Sequence, residues 1–380
     1  MEKVITKLKL DRNSNLELLR IILMIMIIFH HFAVHGGFYY EYQEFSFNHL
    51  WHYFLESGGK IATNTYVLIT GYFLVKDKCI FNLKKILKFY GELIFYSLTI
   101  FFVFIFFNKE TFTLDNFIHN FFVLYYDQWW FATTYVVLFL LHPFINIVIY
   151  NLPKKSYQTL IVILVILFSS FPFFNRSLIF NNNLIWFILL YLIAGYIKIY
   201  GFDKRFKHKT YLIGFISLYL FTYILGVSFL IFNKDYAYKD YSSYYFFSQD
   251  KITFLLISIF LFCFFATMKE RKNKIINLIA SSTFGVYLIH DNPYIRNYIW
   301  KELFKVSSYI NSPYLFLYSI LITFSVFIVC TFIDLIIHLI SILLGELFNK
   351  INFSKIGNFS SKVYEKIRCL IFSNDDNKIE

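Results

Sequence analysis

An all-α fold, a polytopic membrane bundle of about ten transmembrane helices, is what this sequence predicts, and three observations predict it. The 380 residues are 58% hydrophobic and only 16% charged, with 51 Phe and 31 Tyr, a usage that soluble domains do not reach. Apolar runs able to cross about 30 Å of hydrocarbon recur along almost the whole chain. The 36 Lys and Arg are dense in every second segment between those runs and sparse in the others, as in loops on the two sides of a membrane.

Taken in order, the first span covers residues 16 to 35. It follows a basic, polar stretch and has no small-residue cleavage site, so it is expected to remain as a span rather than leave as a signal peptide. The second covers 58 to 75, after the segment from Glu41 to Glu56 whose Trp51, His52, Tyr53 and Phe54 suit the membrane interface. The third covers 86 to 107. The fourth, 129 to 150, follows a similar aromatic stretch from Phe117 to Trp130. The fifth to eighth cover 157 to 173, 184 to 200, 211 to 232 and 251 to 268, with a Tyr-rich loop at 233 to 250. The ninth covers 275 to 290 and the tenth 314 to 345.

This divides the chain into a membrane domain, residues 1–345, and a basic tail, 346–380. Of the 36 basic residues, 27 fall in the segments that share a side with both termini, so both termini are expected in the cytoplasm. The net charge of +12 is then a record of topology, and nucleic acid is excluded as the reason for it. A multi-pass protein of the cell (cytoplasmic) membrane, with the lipid bilayer as its first partner, is the expectation. Cys79, Cys263, Cys330 and Cys369 fall on the cytoplasmic side or within spans and offer neither a disulfide framework nor a metal motif.

Ionisable residues within spans mark sites by default. Arg20 and His31 share the first span, and eleven residues at about 100° each bring them to within roughly 20° of one direction and about 16 Å apart along the axis. His290 lies fifteen residues past the start of its span, as His31 does past Leu16, so both imidazoles are expected at matched depth. His30 points about 80° from Arg20 and reads as a packing or interface residue. His31 and His35 stand at i, i+4 but lack an evident third ligand, so no metal is expected. His142 and His338 read as satisfied interior residues. Arg20 also stands three residues from Glu17, a spacing that allows a simple ion pair.

In this setting the sequence resembles the acyltransferase 3 membrane proteins, which O-acylate glycans and other envelope molecules. Their Arg, ten residues, His pattern is matched by Arg20 and His31, and a Gly-rich second-span pattern by Gly58 to Phe73, with Thr70 where Ser is usual. The following basic stretch is matched by Lys84, Lys85 and Lys88, with Lys where Arg is common; a Trp-Phe pair by Trp130 and Phe131, with Pro143 and Asn146 after it; and a Ser-x-x-Phe-Gly-x-Tyr-Leu-x-His stretch by Ser281 to His290. The matches run in order from residue 16 to about 300.

The resemblance implies a membrane-embedded O-acyltransferase, most simply an O-acetyltransferase, that takes acyl-CoA (acetyl-CoA) as donor, keeps no permanent cofactor, and acts on an envelope glycan or lipid-linked sugar. Arg20, Lys84, Lys85 and Lys88 are then expected to bind coenzyme A phosphates. His31 is expected to deprotonate an acceptor hydroxyl or to carry the acyl group itself. His290 and Tyr287 are the candidates to orient it, act as a second acid/base or donate to an oxyanion. Trp130 and Asp291 are expected near the acceptor, and Asp291 is also placed to set a histidine tautomer. A transporter or flippase for a polysaccharide precursor is the alternative for such a polar seam. The scarcity of Pro and of matching broken halves speaks against it.

Overall fold

A computed structural model describes residues 12–38, 46–76, 83–170, 182–202, 206–232 and 246–348. Among the described residues, each of the ten apolar segments is helical over most of its length, and no strand occurs. Among the described residues, six helices are long and apolar enough to cross a membrane. Most of the Tyr-rich loop, the tail and Lys84's side chain lie outside the described residues.

Several helices start where polar side chains satisfy the free N–H groups of a first turn. Asn13 opens α1 (Ser14–His35) and Ser46 opens α2 (Phe47–Leu74). After α3 (Leu83–Phe107), Thr113 opens the short α4 (Leu114–Phe121). Helix α5 (Trp130–Asn151) carries Pro143, whose missing N–H strands the Phe139 carbonyl. His142 supplies the lost donor, with Nδ1 2.5 Å from that oxygen, so it is the satisfied interior residue expected. Helix α6 (Lys154–Val165) ends in a π turn, and Asn182 caps α7 (Asn183–Tyr200) by accepting from the N–H of Leu184 and Ile185. Then come α8 (His208–Phe232), α9 (Ile252–Ala266), α10 (Lys274–Ser281), α11 (Thr283–His290), α12 (Pro293–Asn297) and α13 (Leu315–Phe348).

Two segments differ from expectation. Residues 47 to 57 do not form a separate interfacial piece but are the first turns of α2, held there by Trp51 Nε1, which donates to Ser319 Oγ at 3.0 Å. The ninth segment is not one helix: it breaks at Ser282. Three consecutive hydroxyls explain the break, because Ser281 bonds back to the Leu278 carbonyl and Thr283 to that of Ala280, competing with the helical ladder.

Helix α1 sits at the centre. Leu16, Leu19 and Leu23 join an apolar cluster with α2, α7 and α9, while Met24, Ile28 and Phe32 join a second one with α3, α11 and α13. Its closest partner is α2, where Gly59 faces His30: a Cβ on Gly59 would overlap the Cβ and ring of His30. The peripheral α8 leaves Ile213, Leu220, Phe221 and Ile224 exposed, a face suited to hydrocarbon.

Candidate active site

Between the two clusters lies a cavity of about 410 Å³. It runs from Tyr66 and Thr283, past His30, His31, Trp130, Phe131 and Tyr287, to Lys60, Asn183 and the segment Ser248 to Asp250. Aromatic faces and a few polar groups line it, the usual make-up of a small-molecule site.

Across its wall α1 meets α11. His31 Nδ1 stands 2.9 Å from His290 Nε2, and His290 Nδ1 stands 2.5 Å from the Val286 carbonyl, one turn back on its own helix. A carbonyl only accepts, so His290 Nδ1 carries a proton; in the neutral ring its Nε2 is then the acceptor. His31 therefore donates from Nδ1, and its Nε2 keeps the lone pair. Tyr287, also on α11, lines the cavity, and its buried hydroxyl lies beside the Asp291 carboxylate and the Phe131 backbone.

Asp291 follows His290 and is buried behind the pair rather than in the cavity lining. Its Oδ1 is 3.7 Å from His31 Nδ1, 4.0 Å from His35 Nε2 and 3.3 Å from the Arg296 guanidinium. Asp291 thus supplies, beside His31 and His35, the third ligand that spacing alone does not reveal, and the ligand atoms of the three all lie within 4.8 Å of one another. They are the described residues that could hold a metal ion. The Arg296 guanidinium also lies against the Asp291 carboxylate, and His290 takes His31 Nδ1.

Arg20 is half-buried. Its Nη1 meets both Glu17 oxygens, at 2.8 and 3.0 Å, and its guanidinium lies 5.8 Å from the Phe73 ring centre. The i, i+3 pairing is therefore present, and a second link joins this end of α1 to the cavity: Tyr66, which lines it, donates to the Arg20 carbonyl at 2.6 Å. Lys85 and Lys88 are exposed at the start of α3. Lys85 borders a separate cavity of about 170 Å³ with Phe89, Tyr135 and Phe139, and Tyr135 also feels the charge of Arg20 and bonds Thr70.

The structure thus brings together His31, His290, Tyr287 and Trp130 and sets Asp291 just behind them, while Arg20, Lys85 and Lys88 do not line the cavity. Several residues at the site escape a reading of the sequence. His30 is no mere packing residue, since it lines the cavity while its Nδ1 engages the Glu56 carbonyl at 2.6 Å. The Gly58-Gly59 pair that admits it is the available signal. Lys60 and Arg296 read from sequence only as topology charges, although Arg296 stands five residues after Asp291. Gln249 and Asp250 give no signal, because what holds them is distant: Asn64 Nδ2 donates to the Gln249 carbonyl at 2.8 Å and Ser169 Oγ to that of Asp250 at 2.8 Å.

Helices of membrane-crossing length and apolarity surround an imidazole pair and a cavity of mixed aromatic and polar lining. A family model described as an acyltransferase domain matches residues 13–335, and the chain belongs to that family, acyltransferase 3. No curated protein and no solved structure matches the chain.

Proposed function

We propose that this membrane acyltransferase moves an acyl group, most simply acetyl, from cytosolic acyl-CoA to a hydroxyl of an envelope glycan or lipid-linked sugar. The observation that carries the reading is the 2.9 Å link between His31 and His290 at the cavity wall. It leaves His31 Nε2 as a base held in one tautomer, the form general-base catalysis needs.

In this reading the acceptor hydroxyl gives its proton to His31 Nε2 as its oxygen attacks the thioester carbonyl carbon. The C–S bond then breaks, and the coenzyme A thiolate leaves with the proton that His31 returns. His290 accepts from Nδ1 throughout and Asp291 lies close enough to stabilise the transient imidazolium. Tyr287, which lines the cavity, donates to the oxyanion. Arg20 at the inner end of α1, with Lys84, Lys85 and Lys88, holds the coenzyme A phosphates, and Trp130 offers a face for a sugar ring.

The test is the base-labile O-acetyl content of purified surface glycans from cells with the wild-type protein, with His31→Ala at equal abundance, and with none. Acetyl appearing with wild type alone supports the reading and identifies the acceptor. Equal content in all three refutes it for these glycans, and failure of the purified protein to bind acetyl-CoA would then favour a transporter.

A further inference from the structure

Asp334 is the only acidic residue between Leu315 and Ser341, in a helix whose span has a mean hydropathy of 2.7, and it is fully buried. A carboxylate so placed needs a reason. It lies outside the cavity, against the first turn of α11. Gly285 makes the approach possible: a Cβ there would overlap Asp334 Oδ1 and stand 2.9 Å from the Tyr96 hydroxyl. Tyr96, from α3, donates to that same Oδ1, the Ser282 hydroxyl at the helix break lies beside the carboxylate, and His338 Nδ1 is 3.5 Å from Oδ2. Three helices therefore meet at one carboxylate, at the N-terminal end of a helix that favours negative charge.

The consequence lies one residue further along. Val286, next to Gly285, supplies the carbonyl that takes His290 Nδ1, and His290 in turn takes His31. We infer that Asp334 is a positioning residue: it seats the broken helix α11 on α3 and α13 and so sets the registry of His290 and Tyr287 against His31. This rests on the acyl-transfer reading for its catalytic consequence but not for the geometry.

The experiment uses the full chain in lipid nanodiscs and in cells, comparing Asp334→Ala, Asp334→Asn and Gly285→Ala. Three readouts are taken: the rate of O-acetyl incorporation into envelope glycans, the acetyl-CoA Kd, and the imidazole ¹⁵N signals of labelled histidine. Asp334→Ala is expected to cut incorporation at least tenfold with Kd within twofold of wild type and with displaced imidazole signals. Asp334→Asn, which keeps the shape and an acceptor for Tyr96, should return to within threefold. Gly285→Ala, which pushes the carboxylate away, should displace the same signals, and it serves where Asp334→Ala fails to accumulate. Unchanged imidazole signals in Asp334→Ala or Gly285→Ala, or acetyl-CoA affinity falling in step with the rate, would overturn the proposal. Displaced signals in a protein whose wild type transfers no acyl group would uphold the positioning and refute the function.

Discussion

His31 and His290 are joined by a hydrogen bond of 2.9 Å across 259 residues of chain, and the bond has a direction. Because His290 Nδ1 is committed to the Val286 carbonyl, the proton between the rings belongs to His31 Nδ1. Removing His31 should lower acyl transfer by about 10²-fold or more, the scale of general-base catalysis, with the protein still accumulating. His290→Ala removes only the acceptor and should cost about 10-fold to 100-fold. His290→Gln, whose amide oxygen can accept, should recover part of that loss. Initial rates at matched abundance decide it, and a fully active His31→Ala variant would sink the assignment.

Arg20 shares its charge with Glu17, so its phosphate-binding role is open to direct measurement. Arg20→Ala should weaken acetyl-CoA binding about tenfold or more, as expected for loss of a charged hydrogen bond. The exposed Lys85 and Lys88 should each cost less, and their contribution should fade as salt is raised. Calorimetric titration with acetyl-CoA at two ionic strengths tests both, and an unaltered Kd in Arg20→Ala would remove that residue from the donor site.

Gly59 is where α2 lies closest to α1, and the pressure falls on His30. An added methyl, which would overlap the His30 Cβ as well as its ring, must push the helices apart. Gly59→Ala should therefore destabilise the protein by about 1–3 kcal/mol, read as a lowered unfolding temperature in detergent. Gly91, where an added Cβ would meet no other atom within 4 Å, is the control and should tolerate alanine.

Asn64 ties three elements together while fully buried. It accepts from Trp186 Nε1 at 2.8 Å and donates to the Gln249 carbonyl at 2.8 Å. Asn64→Leu leaves both partners unpaired, each at about 1–3 kcal/mol, and frees the wall formed by Ser248 to Asp250. Lower thermal stability and weaker use of the acceptor should appear together. Normal stability in this variant would contradict the arrangement.

Much of the membrane domain is legible because its signals are local. Each apolar run is helical over most of its described residues, though the ninth is broken and six of the described helices are long enough to cross a membrane, and capping by Asn13, Asn182 and Asn273 falls at the expected starts. His31 and His290 are legible as a pair of equal depth, since rise per residue is constant along a helix. The break at Ser282 is not, because hydroxyls such as those of Ser281 and Thr283 are also tolerated in an unbroken helix, and their bonds back to Leu278 and Ala280 appear only in the folded chain.

The sequence by itself determined that the chain is a membrane bundle of helices and which ionisable residues lie within its apolar segments, because apolar length and residue type act through the solvent around each segment separately. Only the tertiary structure decided which nitrogen of His31 is free, that Asp291 stands behind the histidines and not in the cavity, and that His30 and Lys60 face it. Those facts depend on contacts between segments hundreds of residues apart. Their geometry is set by how helices pack, through small residues such as Gly59 and Gly285, and no pattern within one helix encodes it.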